Sequence, residues 1–196
     1  MSKFVILGTA HGVNVLGKRS PDGRLREYAY SREICKRVHA LLVAKGVNCV
    51  IDIASDTETS LTARVNHANA LARASKDGAV YVSIHNNAAG SDGKWHTARG
   101  FCVYCYDKGS ANSKRLASIF ATKAKELNLK GNRSWPAAQY YTANFYVLRA
   151  TSCPAVLTEN LFQDNKEDVD FLLSEAGKAA ITKLHVDAIL EYLGCK

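Results

Sequence analysis

The sequence predicts an α/β fold: a three-layer α/β/α sandwich around a mostly parallel, twisted sheet of about six strands. Short apolar runs at residues 4–7, 47–53, 79–84, 101–106 and 155–158 alternate with longer stretches of helical period. The run at 80–84, Val-Tyr-Val-Ser-Ile, is almost continuously apolar, as expected of a central strand covered on both faces. With 196 residues, 47% of them hydrophobic, one core is the expected outcome, so residues 1–196 are read as a single domain. No internal repeat, low-complexity tract or Pro/Gly/Ser linker marks off a second module.

The first helix is expected near Arg26, after the turn Ser20-Pro21-Asp22-Gly23, with Tyr30, Ile34, Val38, Leu41 and Leu42 on its apolar face and Gly46 as its stop. A second follows the Thr59/Ser60 cap and carries Leu61, Val65, Ala68, Leu71 and Ala72. Residues 111–127 form a third, striped with Leu116, Ile119, Phe120 and Leu127, and residues 175–193 a C-terminal helix. Between Lys130 and Tyr146 the pattern loses its period and gathers Trp135, Tyr140, Tyr141 and Phe145, which predicts a long aromatic loop beside a functional site.

A net charge of +8 steers the protein toward polyanions, but the basic residues never run five in a row, so no dedicated nucleic-acid partner is expected. The apolar stretch at 4–7 is too short for a signal-peptide core, and no segment reaches the roughly 20 apolar residues of a membrane span. The expectation is a soluble chain made in the cytoplasm, without membrane insertion. Six scattered cysteines in such a chain are expected reduced. Cys102 and Cys105 form a C-x-x-C within a strand, where residues three apart face opposite ways, so no shared metal or redox role is expected.

Four polar residues stand out by position. His11 follows the first strand, His85 ends the central run, and Glu159 ends the last; each is expected at a strand's carboxyl end, where open α/β sheets place their sites. Glu27 lies three residues before Tyr30 and seven before Ile34, on the buried stripe of its helix, where a carboxylate either caps helix amides or ligates a cation. Glu33 points away from that stripe and can pair with Arg37. Two imidazoles and a carboxylate are a common ligand set for one catalytic zinc ion, which lowers the pKa of bound water to about 7. A further carboxylate must then move protons, and Glu159 is the candidate. His39, His67 and His185 fall within helices and are expected solvated or half-buried, whereas His96 is placed in a loop bordering the cleft.

At these residues the sequence resembles the zinc-dependent N-acetylmuramoyl-L-alanine amidases of the amidase-3 family. The carriers are Ile6-Leu7-Gly8-Thr9-Ala10-His11-Gly12, Arg26-Glu27-Tyr28-Ala29-Tyr30-Ser31, Val82-Ser83-Ile84-His85-Asn86-Asn87-Ala88 and Val156-Leu157-Thr158-Glu159-Asn160-Leu161-Phe162, with Arg64 and Asn69 in the second helix. The similarity runs from about residue 3 to 193. Two departures bear on the site: Ser31 stands where many relatives carry asparagine, and Thr9-Ala10 replaces a more usual acidic residue and glycine, both of which predict a looser shell around Glu27 and His11.

The resemblance implies hydrolysis of the amide between N-acetylmuramic acid and the L-alanine of peptidoglycan stem peptides, with His11, Glu27 and His85 holding zinc and Glu159 shuttling the proton. With neither a linker nor a signal segment apparent, a single catalytic domain without a wall-binding module is expected, acting on the cell wall after release or export, as in a phage or prophage lysin. A monomer is expected. Asn86, Asn87, Arg64, Tyr140 and Tyr141, with Trp135 and Tyr146, are the candidate substrate contacts. A zinc carboxypeptidase or other amidohydrolase would use the same ligands, and a non-enzymatic binder of wall polymer or nucleic acid would account for the charge but not for the placed histidines and glutamates.

Overall fold

A computed structural model of the chain describes residues 4–53 and 55–195; the outermost ends of the expected 1–196 domain lie outside them. Six strands, β1 (Phe4–Thr9), β2 (Cys49–Asp52), β3 (Ala79–Asn87), β4 (Cys102–Cys105), β5 (Tyr141–Thr142) and β6 (Ala155–Phe162), form one sheet in the order β2-β1-β3-β6-β4-β5. β1, β2, β3 and β6 are mutually parallel; β4 runs antiparallel to β6, and β5 parallel to β4. The helices are α1 (Glu27–Ala44), α2 (Leu61–Ala74), α3 (Ala111–Glu126), α4 (Tyr146–Arg149), α5 (Lys166–Leu173) and α6 (Glu175–Leu193).

The period-2 geometry of the parallel strands decides which helices cover which face. Val5, Leu7, Val80, Val82, Ile84 and Val156 face the larger core, filled from Ile34 and Val38 of α1, Leu116 and Phe120 of α3, and Ile181, Leu184 and Ile189 of α6. The alternate residues Ile6, Tyr81, Ala155 and Leu157 face a smaller core closed by Val65 and Ala68 of α2 and Val147 and Leu148 of α4. Burial on both faces explains why these strands read as nearly continuous apolar runs. The chain goes from β1 outward to β2 and then back across to β3 on β1's other side, so β1 and β3 diverge at a topological switch point, the position where doubly wound sheets open a crevice.

The helix boundaries follow local signals: Ser60, Ser110 and Ser174 cap α2, α3 and α6 by accepting from Ala63, Ser113 and Gly177 amides, and Gly194 ends α6 in the left-handed region. Three expectations are corrected. Leu41 and Leu61 are 47% and 53% exposed rather than core-facing, because each lies at the edge of its stripe. The aromatic segment at 130–146 is interrupted by β5 and leads straight into α4. His185, expected solvated or half-buried, is completely buried against Phe120. The reduced state of the cysteines is as expected: all six are free, and Cys102 and Cys105 sit on opposite faces of β4. Glu33 and Arg37 pair at 2.8 Å.

His185 belongs to a polar thread through the core. Its Nδ1–H donates to the Ile181 carbonyl at 2.8 Å, leaving Nε2 to accept from the Thr158 hydroxyl at 3.0 Å, one residue before Glu159. Burial lowers its pKa from 6.5 to about 4, against a smaller upward pull from the Ile181 carbonyl. Between these values the unfolded chain binds the proton and the folded chain does not, so stability falls as pH drops from about 6.5 toward 4. Urea unfolding across that window should show about 3 kcal/mol less acid loss in His185→Gln than in the parent chain. Equal slopes would show that His185 does not set the acid limit.

Candidate functional site

The crevice at the carboxyl ends of β1, β3 and β6 gathers the four singled-out residues. His11 lies two residues past β1 with φ +35°, a left-handed conformation uncommon for a residue with a side chain. That turn is held from outside: Arg32 donates from Nη1 to the Ala10 carbonyl and from Nη2 to the His11 carbonyl, both at 2.9 Å, and Arg64 donates from Nη1 to the Thr9 carbonyl at 2.6 Å. Three successive carbonyls are thus fixed by two buried guanidiniums. Such over-determination is what keeps a strained residue in place.

Glu27, the first residue of α1, is only 1% exposed, and its backbone amide donates to the Lys18 carbonyl at 3.0 Å. Its Oε1 accepts from His85 Nδ1 at 3.0 Å and from the Asn86 amide at 3.2 Å. Its Oε2 has no hydrogen-bond partner and lies 3.6 Å from His11 Nε2. The His85 ring is braced on its far side by Ser83 Oγ, 2.9 Å from Nε2, and meets the His11 ring edge-on at 5.4 Å between centroids. One ligand atom from each of His11, Glu27 and His85 lies within 4.8 Å of the others, a cluster able to hold a metal ion.

The electrostatics match that arrangement. Burial drives the His11 pKa down to about 4; Glu27 opposes this and His85, Lys18 and Arg64 add to it, so the ring is neutral at physiological pH, as a ligand must be. Burial pushes the Glu27 carboxyl up, but the hydrogen bond from His85 and the charges of His85, His11 and Lys18 outweigh it and hold Glu27 below the ordinary carboxylate range. Glu159 goes the other way. Burial and then the negative charge of Glu27 raise it well above that range, against the opposing charge of Lys18.

His85 and Glu159 sit inside their strands, not past them, and are direct register partners across β3 and β6. Immediately beyond them the register slips between His85 and Asn87, where Leu161 adopts φ +62°. His11, His85 and Glu159 line a cavity of about 260 Å³ together with Lys18, Arg64, Phe145 and Tyr146. Glu159 Oε2 is buried and unpartnered there.

The other expected contacts fare differently. Asn86 is 4% exposed and spends its Nδ2 on the Asn160 carbonyl at 2.6 Å, because alternation along β3 turns it away from His85. Asn87 Oδ1 accepts from the Ala88 amide, a turn-forming bond, and does not line the cavity. Arg64 borders the cavity, but its hydrogen bonds go to the Thr9 and Thr59 carbonyls, which makes it a clamp on the backbone. Tyr140 packs against the larger core, and Tyr141 stacks on Tyr104 and donates its hydroxyl to the Ser134 carbonyl; neither reaches the cavity. Of the aromatic segment, Phe145 and Tyr146 do. Ser83, Arg32 and Lys18 were not singled out in the sequence, although Ser83 stands two residues before His85, the spacing that shares a strand face.

A family model described as N-acetylmuramoyl-L-alanine amidase matches residues 5–191. The chain belongs to this amidase family. An endolysin of Bacillus phage SPP1 is 32% identical over the whole chain, which covers 68% of that protein, and the amidase CwlM of Bacillus licheniformis is 29% identical over 94% of the chain and 66% of its own length. The chain therefore spans about two thirds of these curated relatives. Among solved structures, the catalytic domain of the amidase CwlV from Bacillus (Paenibacillus) polymyxa var. colistinus superposes with a TM-score of 0.82 at 26% identity, over 99% of both chains. An N-acetylmuramoyl-L-alanine amidase from Clostridium difficile 630 superposes at 0.83 with 27% identity, over 100% of this chain and 98% of that one.

In this amidase Ser31, the departure expected to loosen the shell around Glu27, makes two buried hydrogen bonds at the site. Ser31 Oγ accepts from the Ala10 amide at 2.8 Å and donates to the Ile84 carbonyl at 2.6 Å, joining the ends of β1 and β3 just before the two histidines. Ser31→Ala leaves both backbone groups without that buried partner and should cost about 1–3 kcal/mol, seen as a lower urea midpoint at unchanged slope. An unchanged midpoint would show that the bridge carries no stability.

Proposed function

We propose that the chain is a zinc-dependent hydrolase that cleaves the amide between N-acetylmuramic acid and the L-alanine of peptidoglycan stem peptides. The observation that carries this reading is the unpartnered Oε2 of the buried Glu27, set against two imidazoles and beside Glu159. A buried carboxylate oxygen with no donor is costly unless a cation meets it, and a nitrogen-nitrogen-oxygen donor set suits zinc. His11, Glu27 and His85 would hold the ion, with Ser83 orienting His85. A zinc ion held there would supply Lewis-acid polarisation of the scissile carbonyl and a water acidified to near neutral pH.

The rest of the reaction falls to the chain's own groups. Glu159 lies on the strand beside His85, with a buried, unpartnered oxygen and a pKa raised mainly by burial and by Glu27. Neutralising Glu27 would relieve that repulsion and favour the ionised Glu159 carboxylate, which would accept the proton of the attacking water and return it to the leaving amine nitrogen. Lys18 lines the same cavity and supplies positive charge where negative charge gathers. Phe145 and Tyr146 offer ring faces at the cavity wall.

One chain supplies all four side chains, which supports a monomer. Among the described residues no helix is long and apolar enough to cross a membrane, and the +8 charge favours association with anionic wall polymers. The likeness to a phage endolysin supports action on the wall as a lysin.

Digestion of purified peptidoglycan should release free stem peptides beginning at L-alanine, identified by mass spectrometry; shortened peptides still attached to muramic acid would overturn the reading. His11→Ala and His85→Ala should each lose stoichiometric zinc by elemental analysis. Glu159→Gln should keep the metal and lose about 10²–10⁴-fold in turnover. Full zinc in both histidine variants would remove them from the ligand set.

A further inference from the structure

A second groove, of about 470 Å³, opens next to the catalytic cavity and shares Lys18 with it. One wall is the segment 16–21 and the other is 88–94, with Gln163 and Asp164 between them. Both walls are built. Ser20 bonds through its amide to the Leu25 carbonyl at 2.9 Å and Arg19 bridges to Arg26, while Asp164 Oδ2 accepts from the Ala89 and Gly90 amides at 2.7 and 3.0 Å. His96 backs the second wall from outside the groove, its amide donating to the Asp164 carbonyl at 2.7 Å and its ring pressed against Gly90, where a Cβ would meet it at 2.4 Å.

Gln163 and Asp164 are 3% and 6% exposed, yet Gln163 Oε1 and Asp164 Oδ1 have no hydrogen-bond partner. Buried acceptors of this kind are normally satisfied, so two of them at one groove point to N–H donors arriving with a ligand. Around them stand Lys18, Arg19 and Lys94, none in an ion pair with a carboxylate of the described residues. The lining contains no aromatic ring, whereas Phe145 and Tyr146 belong to the catalytic cavity.

We propose that this groove binds the stem peptide beyond its L-alanine, pairing the peptide's N–H groups with Gln163 and Asp164 and a free carboxylate of the next residue with Arg19 and Lys94. The assignment rests on the amidase reading above. It follows from charge and from donor complementarity: an acidic peptide offers both carboxylates and N–H groups, and a sugar offers no charge for three cations. Lys18, at the junction, lies between the scissile amide and the peptide arm.

The test uses two muramoyl-L-alanyl peptides that differ only in whether the residue after L-alanine carries a free carboxylate or its carboxamide. The intact chain should cleave the carboxylate form with kcat/KM about tenfold higher, the scale of one charge-assisted hydrogen bond, chiefly through KM. Arg19 and Lys94 are exposed, so Arg19→Ala/Lys94→Ala should keep the parent melting temperature and lower kcat/KM on the carboxylate form to the level of the carboxamide form, erasing the preference. Lys94→Glu should reverse the preference. Equal kcat/KM on both substrates by the parent chain, or an equal fall on both in the double variant, would overturn the groove assignment. Failure of the parent chain to release peptide from either substrate would instead overturn the amidase reading.

Discussion

Glu27 is a carboxylate taken out of water at the first turn of a helix, and most of the crevice can be understood as the means of making that tolerable. Removing a charge from water costs several kcal/mol even after the surroundings relax. One oxygen recovers part of this from His85 and the Asn86 amide; the other is left facing His11. For the pair of oxygens to be shared in this way, the ends of β1 and β3 must stand at a set distance from the head of α1. The same helix enforces it. Ser31 and Arg32, one turn along, bond to the strand ends that carry the two histidines. The helix that supplies the carboxylate thus also positions its partners.

The two glutamates show how one crevice gives identical groups opposite roles. Glu27 has donors and neighbouring imidazoles, so its charged form is favoured despite burial. Glu159 has no such donor among the described residues and faces Glu27's charge, so burial raises it against the opposing charge of Lys18. A ligand needs the first environment and a proton carrier the second. Both carboxylates sit where the strand order reverses, and they arrive there from different parts of the chain.

Much of the fold and the core of the site were legible in the sequence because they rest on period and placement. Two-sided burial of β1, β3 and β6 leaves continuous apolar runs, and Glu27 betrayed itself as a charge on a buried stripe. What escaped did so for physical reasons. β5 has two residues and α4 four, too few for a period to repeat. Arg32, and the clamping role of Arg64, escaped because these guanidiniums reach main-chain carbonyls 21 to 55 residues distant, which no side-chain pattern records. Asn86 and Asn87 were drawn toward the substrate by adjacency to His85, but β3 continues through them, and alternation sends Asn86 to the other face. His185 is buried because Thr158 and Ile181 satisfy both of its nitrogens, an outcome decided by packing between α6 and β6.

The register slip after His85 and Glu159 separates two kinds of anchoring. Upstream of it, strand pairing is regular and every side chain is tied to its neighbours by the pleat; downstream, Gln163 is re-aimed and re-anchored through its amide to the Asn87 carbonyl at 2.8 Å. The irregularity works as a mechanical joint. Beyond it, the segments around residues 88–90 and 163–164 hang on hydrogen bonds of their own, from the Ala89 and Gly90 amides to Asp164 Oδ2, outside the regular ladder that pairs His85 with Glu159.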